Sequence, residues 1–311
     1  MKRVLVTGAG GLLGSYIMRQ ASAQKGLEAV GTTRTGQGGL KMDLTSNGDI
    51  SSVMSSVSPD IVINTASLTN VDYCEGHRRE ALAINAEGPR IIADECKKLG
   101  AKLIQISTDY VFDGKRGMYT EADSPGPVNY YGKTKLEAEK AVEQSGTGYL
   151  IVRPAIIYGW GTTGPLTTSP TITSPVGTTS AAGVRRPNYV TWLIETVSSG
   201  QKARIFDQYN SPTFAGSLAE GLLKALGSEG LYHLAGPERI SRYDFALRVA
   251  DKFNLAKGLI APARDNTFAK AARPHDSSLD VSKAWKDLGI RLLTVDEGLK
   301  MMKKEFDERK K

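Results

Sequence analysis

The chain has 311 residues, 40% hydrophobic and 23% charged, a balance ordinary for a soluble globular protein and long enough for a large core in one or two domains. Its formal net charge of +7 suits an anionic ligand, and with no basic block interleaved with aromatics it gives no ground for nucleic-acid binding. No run approaches the ~20 apolar residues of a membrane span, two cysteines (Cys74 and Cys96) without metal spacing suit a reducing cytoplasm, and His77, His233 and His275 form no metal motif.

The N-terminus has a basic start but only three apolar residues before Thr7-Gly8, too few for a signal peptide. Arg3-Val-Leu-Val-Thr7 is a short apolar run suited to a buried parallel strand. The pattern Gly8-x-x-Gly11-x-x-Gly14 comes next. Gly8 permits a tight turn, Gly11 lets the backbone approach a pyrophosphate, and Gly14 lets the next helix pack on the strand. That helix reads from Leu12 to Gln24, and its first amides, at Leu12 and Leu13, would face the phosphates together with the helix dipole. A strand before the glycines and a helix after them are the context a dinucleotide site requires.

The second strand, Leu27 to Thr33, ends at Thr32, Thr33 and Arg34, where an NAD-selective site usually places an Asp or Glu for the ribose hydroxyls. A guanidinium can receive a 2'-phosphate with a forked, charge-assisted contact, so the expected cofactor is NADPH, with NADH as the alternative. Asp43 and Leu44 are candidate adenine contacts. Ile61 to Asn64 is a strand, and the loop after it (Thr65, Ala66 and Ser67, then Thr69 and Asn70) would line the nicotinamide and substrate side. Arg79 to Leu99 has helical periodicity and ends at Gly100.

Lys102 to Ser107 is the next strand, followed by a loop rich in Gly, Pro and Asp that leads to a helix from Tyr131 to Gln144. Tyr131 and Lys135, four residues apart, share one helix face. A hydroxyl at the mouth of the neighbouring strand completes a proton-transfer constellation over a dinucleotide, which points to hydride transfer at a carbonyl or alcohol. Thr108 is preferred to Ser107, which points the other way in an extended strand.

Tyr149 to Arg153 is another strand, closed by Pro154. Thr162 to Gly183 is dominated by Thr, Ser, Pro and Gly and reads either as a disordered loop or as a lid over a substrate. Arg185 and Arg186 follow it, placed to meet a diphosphate. Helices are expected at 188–199, 217–226, 242–253, 281–288 and 295–308, with strands at 203–206 and 231–235, the last returning to the sheet. Alternating strands and helices predict an α/β fold, a Rossmann-like doubly wound parallel sheet with a smaller C-terminal substrate-binding lobe. Residues 1–158, with returning segments at 203–235, would form the NADP-binding domain; 159–202 and 236–311 would form the lobe.

Five blocks in order carry a resemblance: Val6-Thr-Gly-Ala-Gly-Gly-Leu-Leu-Gly14, Ile106-Ser-Thr-Asp-Tyr-Val-Phe-Asp-Gly114, Tyr131-Gly-Lys-Thr-Lys-Leu-Glu137, Asp207-Gln-Tyr-Asn-Ser-Pro-Thr213 and Arg273-Pro-His-Asp-Ser-Ser-Leu-Asp280. The chain resembles the extended short-chain dehydrogenase/reductases, and within them the dTDP-4-dehydrorhamnose reductase branch. The resemblance implies NADPH-dependent reduction of the keto group of a nucleotide-linked 4-keto-6-deoxy sugar by a cytoplasmic homodimer. Tyr131 would be the proton donor, Thr108 the hydroxyl that polarises the carbonyl, and Lys135 the cation that favours tyrosinate and holds the nicotinamide ribose. Asp109 is followed by Tyr110, so the Asp-Glu pair of the related dehydratases is missing. Where the reductases carry Trp beside the sugar, in an Arg-Thr-Ser-Trp-Val-Tyr block, this chain has Ile156 within Arg153-Pro-Ala-Ile-Ile-Tyr158. Thr69, Asn70, Asp109, Ile156, Arg185 and Arg186 are the candidate substrate contacts. Two alternatives stand beside this reading: a non-catalytic NADP-binding partner resembling the regulatory subunit of methionine adenosyltransferase, and another nucleotide-sugar epimerase or reductase.

Overall fold

In a computed structural model, residues 1–161, 187–263 and 269–309 are described. The expected loop or lid at 162–183, and Arg185 and Arg186, lie outside the described residues. The N-terminal half alternates β1 (Lys2–Thr7), α1 (Leu12–Ser22), β2 (Leu27–Thr33), β3 (Leu40–Lys41), α2 (Asn47–Val57) and β4 (Ile61–Asn64). After these come α3 (Val71–Gly76), α4 (Arg78–Leu82), a π-helical turn at Ala83–Glu87, α5 (Gly88–Leu99), β5 (Lys102–Ile106), α6 (Tyr130–Gln144) and β6 (Tyr149–Arg153). The rest runs through β7 (Ala155–Tyr158), α7 (Tyr189–Ser198), β8 (Ala203–Ile205), β9 (Tyr209–Asn210), β10 (Pro212–Phe214), α8 (Ala215–Lys224) and β11 (Gly230–His233). It ends with β12 (Ile240–Ser241), α9 (Arg242–Phe253), β13 (Ile260–Pro262), α10 (Ser282–Leu288) and α11 (Val295–Glu308).

Seven strands form one sheet in the order β11-β6-β5-β4-β1-β2-β3, all pairs parallel. The strands are short apolar runs because both faces are covered. Alternation along β1 shows this directly: Val4 and Val6 enter a core with Ile17, Leu218 and Leu222, whereas Leu5 enters one with Ile50, Val53, Met54 and Ile92. The chain winds outward from β1 to β3, returns, and winds the other way from β4, so strand order reverses between β1 and β4. Crevices at such a reversal, at the carboxyl ends of the strands, are where open α/β sheets bind ligands.

Local chemistry sets the element ends. Ser46 caps α2 by accepting from the Asp49 amide, Asn129 caps α6 by accepting from the Gly132 amide, and Gly100 closes α5 in the left-handed conformation. Thr294 and Glu297 form a reciprocal capping box on α11.

One sequence expectation changes. The single helix expected over 79–99 is broken into α4, a π turn and α5. As expected, a strand forms at 203–205 and β11 returns beside β6; β8 itself pairs with β13, outside the main sheet. The segment α2, which polarity hides, has apolar residues Ile50, Val53, Met54 and Val57 at helical spacing, all buried.

Candidate active site

The glycine turn is built for a close approach. Gly8 has φ +65 and its carbonyl accepts from the Gly11 amide at 2.8 Å, while a Cβ on Gly14 would collide with that same carbonyl. Helix α1 opens at Gly11 with no side-chain cap and no acidic residue in its first turn. Its first amides, at Leu12 and Leu13, therefore face outward without a protein anion, an arrangement suited to a phosphate.

At the end of β2, Thr33 is half-buried and donates to the Gln37 carbonyl at 3.2 Å. Arg34 is exposed and enters none of the ion pairs among the described residues. Leu44 is 5% exposed and belongs to the core under α2. Asp43 accepts from the Thr45 amide and hydroxyl at 2.9 and 2.8 Å and shapes the turn into α2.

Across the switch point runs a buried polar row. Thr7 Oγ1 donates to Asn64 Oδ1 at 2.5 Å, and Asn64 Nδ2 donates to Gln105 Oε1 at 2.8 Å, on strands whose register places these residues side by side. Gln105 Nε2 then donates to the Ile106 carbonyl at 2.9 Å. The following loop is pinned to the glycine turn, since Thr65 Oγ1 donates to the Thr7 carbonyl at 2.6 Å and the Ala66 amide to Thr7 Oγ1 at 3.2 Å. Ser67 Oγ and the Leu68 amide both donate to Asn85 Oδ1, at 2.9 and 2.8 Å, and Asn85 Nδ2 donates to the Leu68 carbonyl and to Thr134 Oγ1. Asn85 sits in the π turn, 1% exposed, and ties the loop to α6. Thr69 is exposed, whereas the Asn70 side-chain oxygen is used to cap α3.

Thr108, Tyr131 and Lys135 converge at the carboxyl end of β5. All three are nearly buried, and Tyr131 packs against Cys74, Ala81 and Tyr110. Tyr131 lies beside Thr108, and Lys135 Nζ donates to the Ile106 carbonyl at 2.6 Å. Burial pushes the Tyr131 phenol above its ordinary value of 10.0, with the neighbouring Thr108 hydroxyl opposing and the Asp109 charge adding to the rise. This is opposite in direction to the lowering expected from a nearby Lys135, whose ammonium is turned to the strand carbonyl. Burial in turn pulls Lys135 down to about 8, against the pull of Glu139.

Asp109, expected at the substrate, joins two parts of the chain. Its Oδ1 accepts from Thr108 at 3.1 Å, and its Oδ2 accepts from Ser277 at 2.5 Å and Asn210 at 3.3 Å. Burial raises its carboxyl to about 6. Arg242 donates to Asn210 Oδ1 and to the Tyr110 hydroxyl. A second tie lies at Arg273, whose NH2 donates to Asp72 Oδ2 at 2.8 Å while the Lys270 and Ala271 amides donate to Oδ1. Ile156 is half-buried, at φ +33, and is the extra residue of a bulge where β7 pairs with β10. Sequence reasoning missed Asn85 altogether, and passed over Asn210 and Ser277 although each lies in a quoted block. Within the described residues no cluster of His, Cys, Asp or Glu could hold a metal.

Residues 1–308 match the family described as RmlD substrate binding domain. The chain belongs to that family. Among curated relatives, the "Probable low-salt glycan biosynthesis reductase Agl14" of Haloferax volcanii is 31% identical, covering 97% of this chain and 98% of that protein. Methionine adenosyltransferase 2 subunit beta of Bos taurus is 30% identical over 93% of this chain and 83% of its own length. Among solved structures, dTDP-4-dehydrorhamnose reductase from Bacillus anthracis in complex with NADP superposes with a TM-score of 0.82 at 27% identity, covering 98% of this chain and 99% of that one.

Proposed function

We propose that the protein is an NADPH-dependent reductase of the keto group of a nucleotide-linked 4-keto-6-deoxy sugar, with dTDP-4-dehydro-L-rhamnose as the first substrate to try. The observation that carries this reading is the convergence of Thr108, Tyr131 and Lys135 beside an uncapped helix start at Gly11. The relatives named as reductases, and the Bacillus anthracis enzyme bound to NADP, support it. In this reading Gly8, Gly11, Leu12, Leu13 and Gly14 cradle the pyrophosphate, and Thr33 and Arg34 meet the 2'-phosphate. Thr65, Ala66 and Ser67 flank the nicotinamide.

Bound NADPH would supply a hydride to the carbonyl carbon. Thr108 polarises the carbonyl oxygen, and Tyr131 gives that oxygen its proton. A buried phenol holds its proton at neutral pH and delivers it only as alkoxide character develops, which suits a general acid in a reduction. Lys135, leaving the Ile106 carbonyl for the ribose hydroxyls, would stabilise the tyrosinate left behind. Tyr131→Phe should reduce turnover of the keto-sugar by about 10²–10⁴-fold with NADPH binding retained. Unchanged NADPH consumption in that variant would overturn the assignment.

The reading extends to organisation. Residues 1–158 with 203–235 form the cofactor domain, and 159–202 with 236–311 the substrate lobe. The protein is placed in the cytoplasm as a homodimer; two buried thiols, Cys74 and Cys96, agree with a reducing compartment. Light scattering checks the dimer. No helix among the described residues is long and apolar enough to cross a membrane. A second reading is favoured by the Bos taurus relative: a partner subunit that binds NADPH without turnover and is captured by a methionine adenosyltransferase catalytic subunit.

A further inference from the structure

Three consecutive residues at the end of β5 meet one face of α6. The Ile106 carbonyl accepts from Lys135 at 2.6 Å, the Ser107 hydroxyl donates to Glu139, and Thr108 lies beside Tyr131. Tyr131, Lys135 and Glu139 are spaced four residues apart, so they stack on successive turns. Glu139 is 2% exposed and is gripped from β6 by Arg153, with Nε to Oε1 at 2.9 Å and NH2 to Oε2 at 2.6 Å. Arg153 is in turn held over the Phe112 ring at 5.0 Å and lies 3.5 Å from His233 Nε2 on β11.

Glu139 is therefore paired with one buried cation, Arg153, and lies one helical turn from a second, Lys135, on the same face of α6. We propose that Glu139 is a positioning residue for the reduction: fastened by Arg153 and Ser107, its carboxylate keeps Lys135 in the ammonium form on the face shared with Tyr131. This rests on the reductase reading for its catalytic meaning, but the charge relation itself does not.

The titratable and charged groups around this carboxylate come from four parts of the chain. α6 presents Tyr131, Lys135 and Glu143, β6 presents Arg153, and β11 presents His233. The segment after β5 presents Asp109 and Tyr110. His233 is held neutral by burial and by Arg153. Asp109 spends its oxygens on Thr108, Ser277 and Asn210. Burial acts on Lys135 downward and Glu139 acts upward. Removing the carboxylate consequently lets Lys135 lose its proton at lower pH.

The test is Glu139→Gln, which keeps an oxygen for Ser107 and Arg153 while deleting the charge. Rates of NADPH oxidation with the keto-sugar are followed across the pH range beside the wild type. The expected result is an alkaline limb of kcat displaced downward by about one pH unit, with a much smaller loss at the acid end. A loss equal at every pH, with the limb in place, assigns Glu139 a purely structural part and overturns the proposal. Independently of turnover, NMR of protein labelled at the lysine ε-carbons, with Lys135→Met for assignment, should show Lys135 titrating lower in Glu139→Gln; identical titration also overturns it. If the wild type reduces no keto-sugar while the Lys135 titration moves, it is the reductase reading that fails and the Glu139 inference that stands. Should Glu139→Gln not fold, Glu139→Gln with Arg153→Met removes the unpaired guanidinium, and a smaller displacement in the same direction is expected, because the repulsion of Arg153 is lost with the attraction of Glu139; an unmoved limb overturns the proposal.

Discussion

Ile156 is the residue at which this chain departs most sharply from its own backbone rules. A β-branched side chain at φ +33 is sterically disfavoured, at a cost of order 1–3 kcal/mol. Ile157 beside it is also half-buried but is not among the positive-φ residues, so the pair is a built-in control. Ile156→Gly loses apolar contact but relieves the strain, and its net change in unfolding free energy should be within about 1 kcal/mol of zero. Ile157→Gly loses the same side chain and gains the same unfolded-chain entropy but relieves no strain, and should be less stable than Ile156→Gly by about 2 kcal/mol. Urea titration of both decides it; equal losses would show that the bulge carries no strain. Such a bulge aims one side chain away from its strand's alternation, and it sits where β7 pairs with β10.

At the scale of the element, the π turn at Ala83–Glu87 matters most. An extra residue in a helix rotates every later side chain about the axis, and here it sets Asn85 inward to satisfy Ser67, Leu68 and Thr134 at once. Asn85→Ala leaves the Leu68 amide and Thr134 without that partner. A buried donor left unpaired should destabilise the fold by about 2–3 kcal/mol. Because the loop it releases is the one proposed at the nicotinamide, the Kd for NADPH, read by fluorescence, should rise about tenfold, a loosening worth about 1.4 kcal/mol. A variant that loses stability with an unchanged Kd would show that the loop does not meet the cofactor. The sequence could not reveal this device, since Arg79 to Leu99 keeps helical periodicity through it. By contrast β2, β4, β6, α9 and α11 were legible to the residue, because each is a run of one period bounded by a turn or cap. Segment α2 was legible in principle: Ser46, Asp49 and the spacing of Ile50, Val53, Met54 and Val57 state it, and only the serines between them obscure it. Pairings such as β8 with β13 and β9 with β12 join residues far apart in sequence over two or three positions, and no local pattern announces them. At the site, Tyr131, Lys135 and Thr108 stood out by spacing, whereas the direction of the Tyr131 shift depended on burial, which spacing does not convey.

Across the whole molecule, two buried groups titrate against each other. Asp109 ties the Tyr131 region to Asn210 and Ser277, and burial raises its carboxyl from 3.8 to about 6. Between those values the folded protein keeps a proton that the unfolded chain has released, so this contribution to stability falls as pH rises through the window. His233, at the end of β11, lies against Arg153 and the Asp280 carbonyl, and burial lowers it from 6.5 to about 3. Below its ordinary value the unfolded chain takes up a proton that folded His233 refuses, so this contribution falls as pH drops. Each slope is at most about 1.4 kcal/mol per pH unit, and in the interval where both act they cancel. His233→Gln should therefore make stability, relative to wild type, rise as the solution is acidified through that interval. Asp109→Asn should make it fall, whatever its uniform loss from the broken Ser277 and Asn210 bonds. Lowered carboxyls such as Asp72 and Glu75 tilt all three proteins alike and drop out of the differences. Urea midpoints of the three proteins at several pH values across the interval are the measurement. Curves that stay parallel would mean that neither group titrates as its surroundings dictate; curves that diverge in opposite senses would show the ligand-free protein to be balanced between an acid that wants its proton and a base that will not take one.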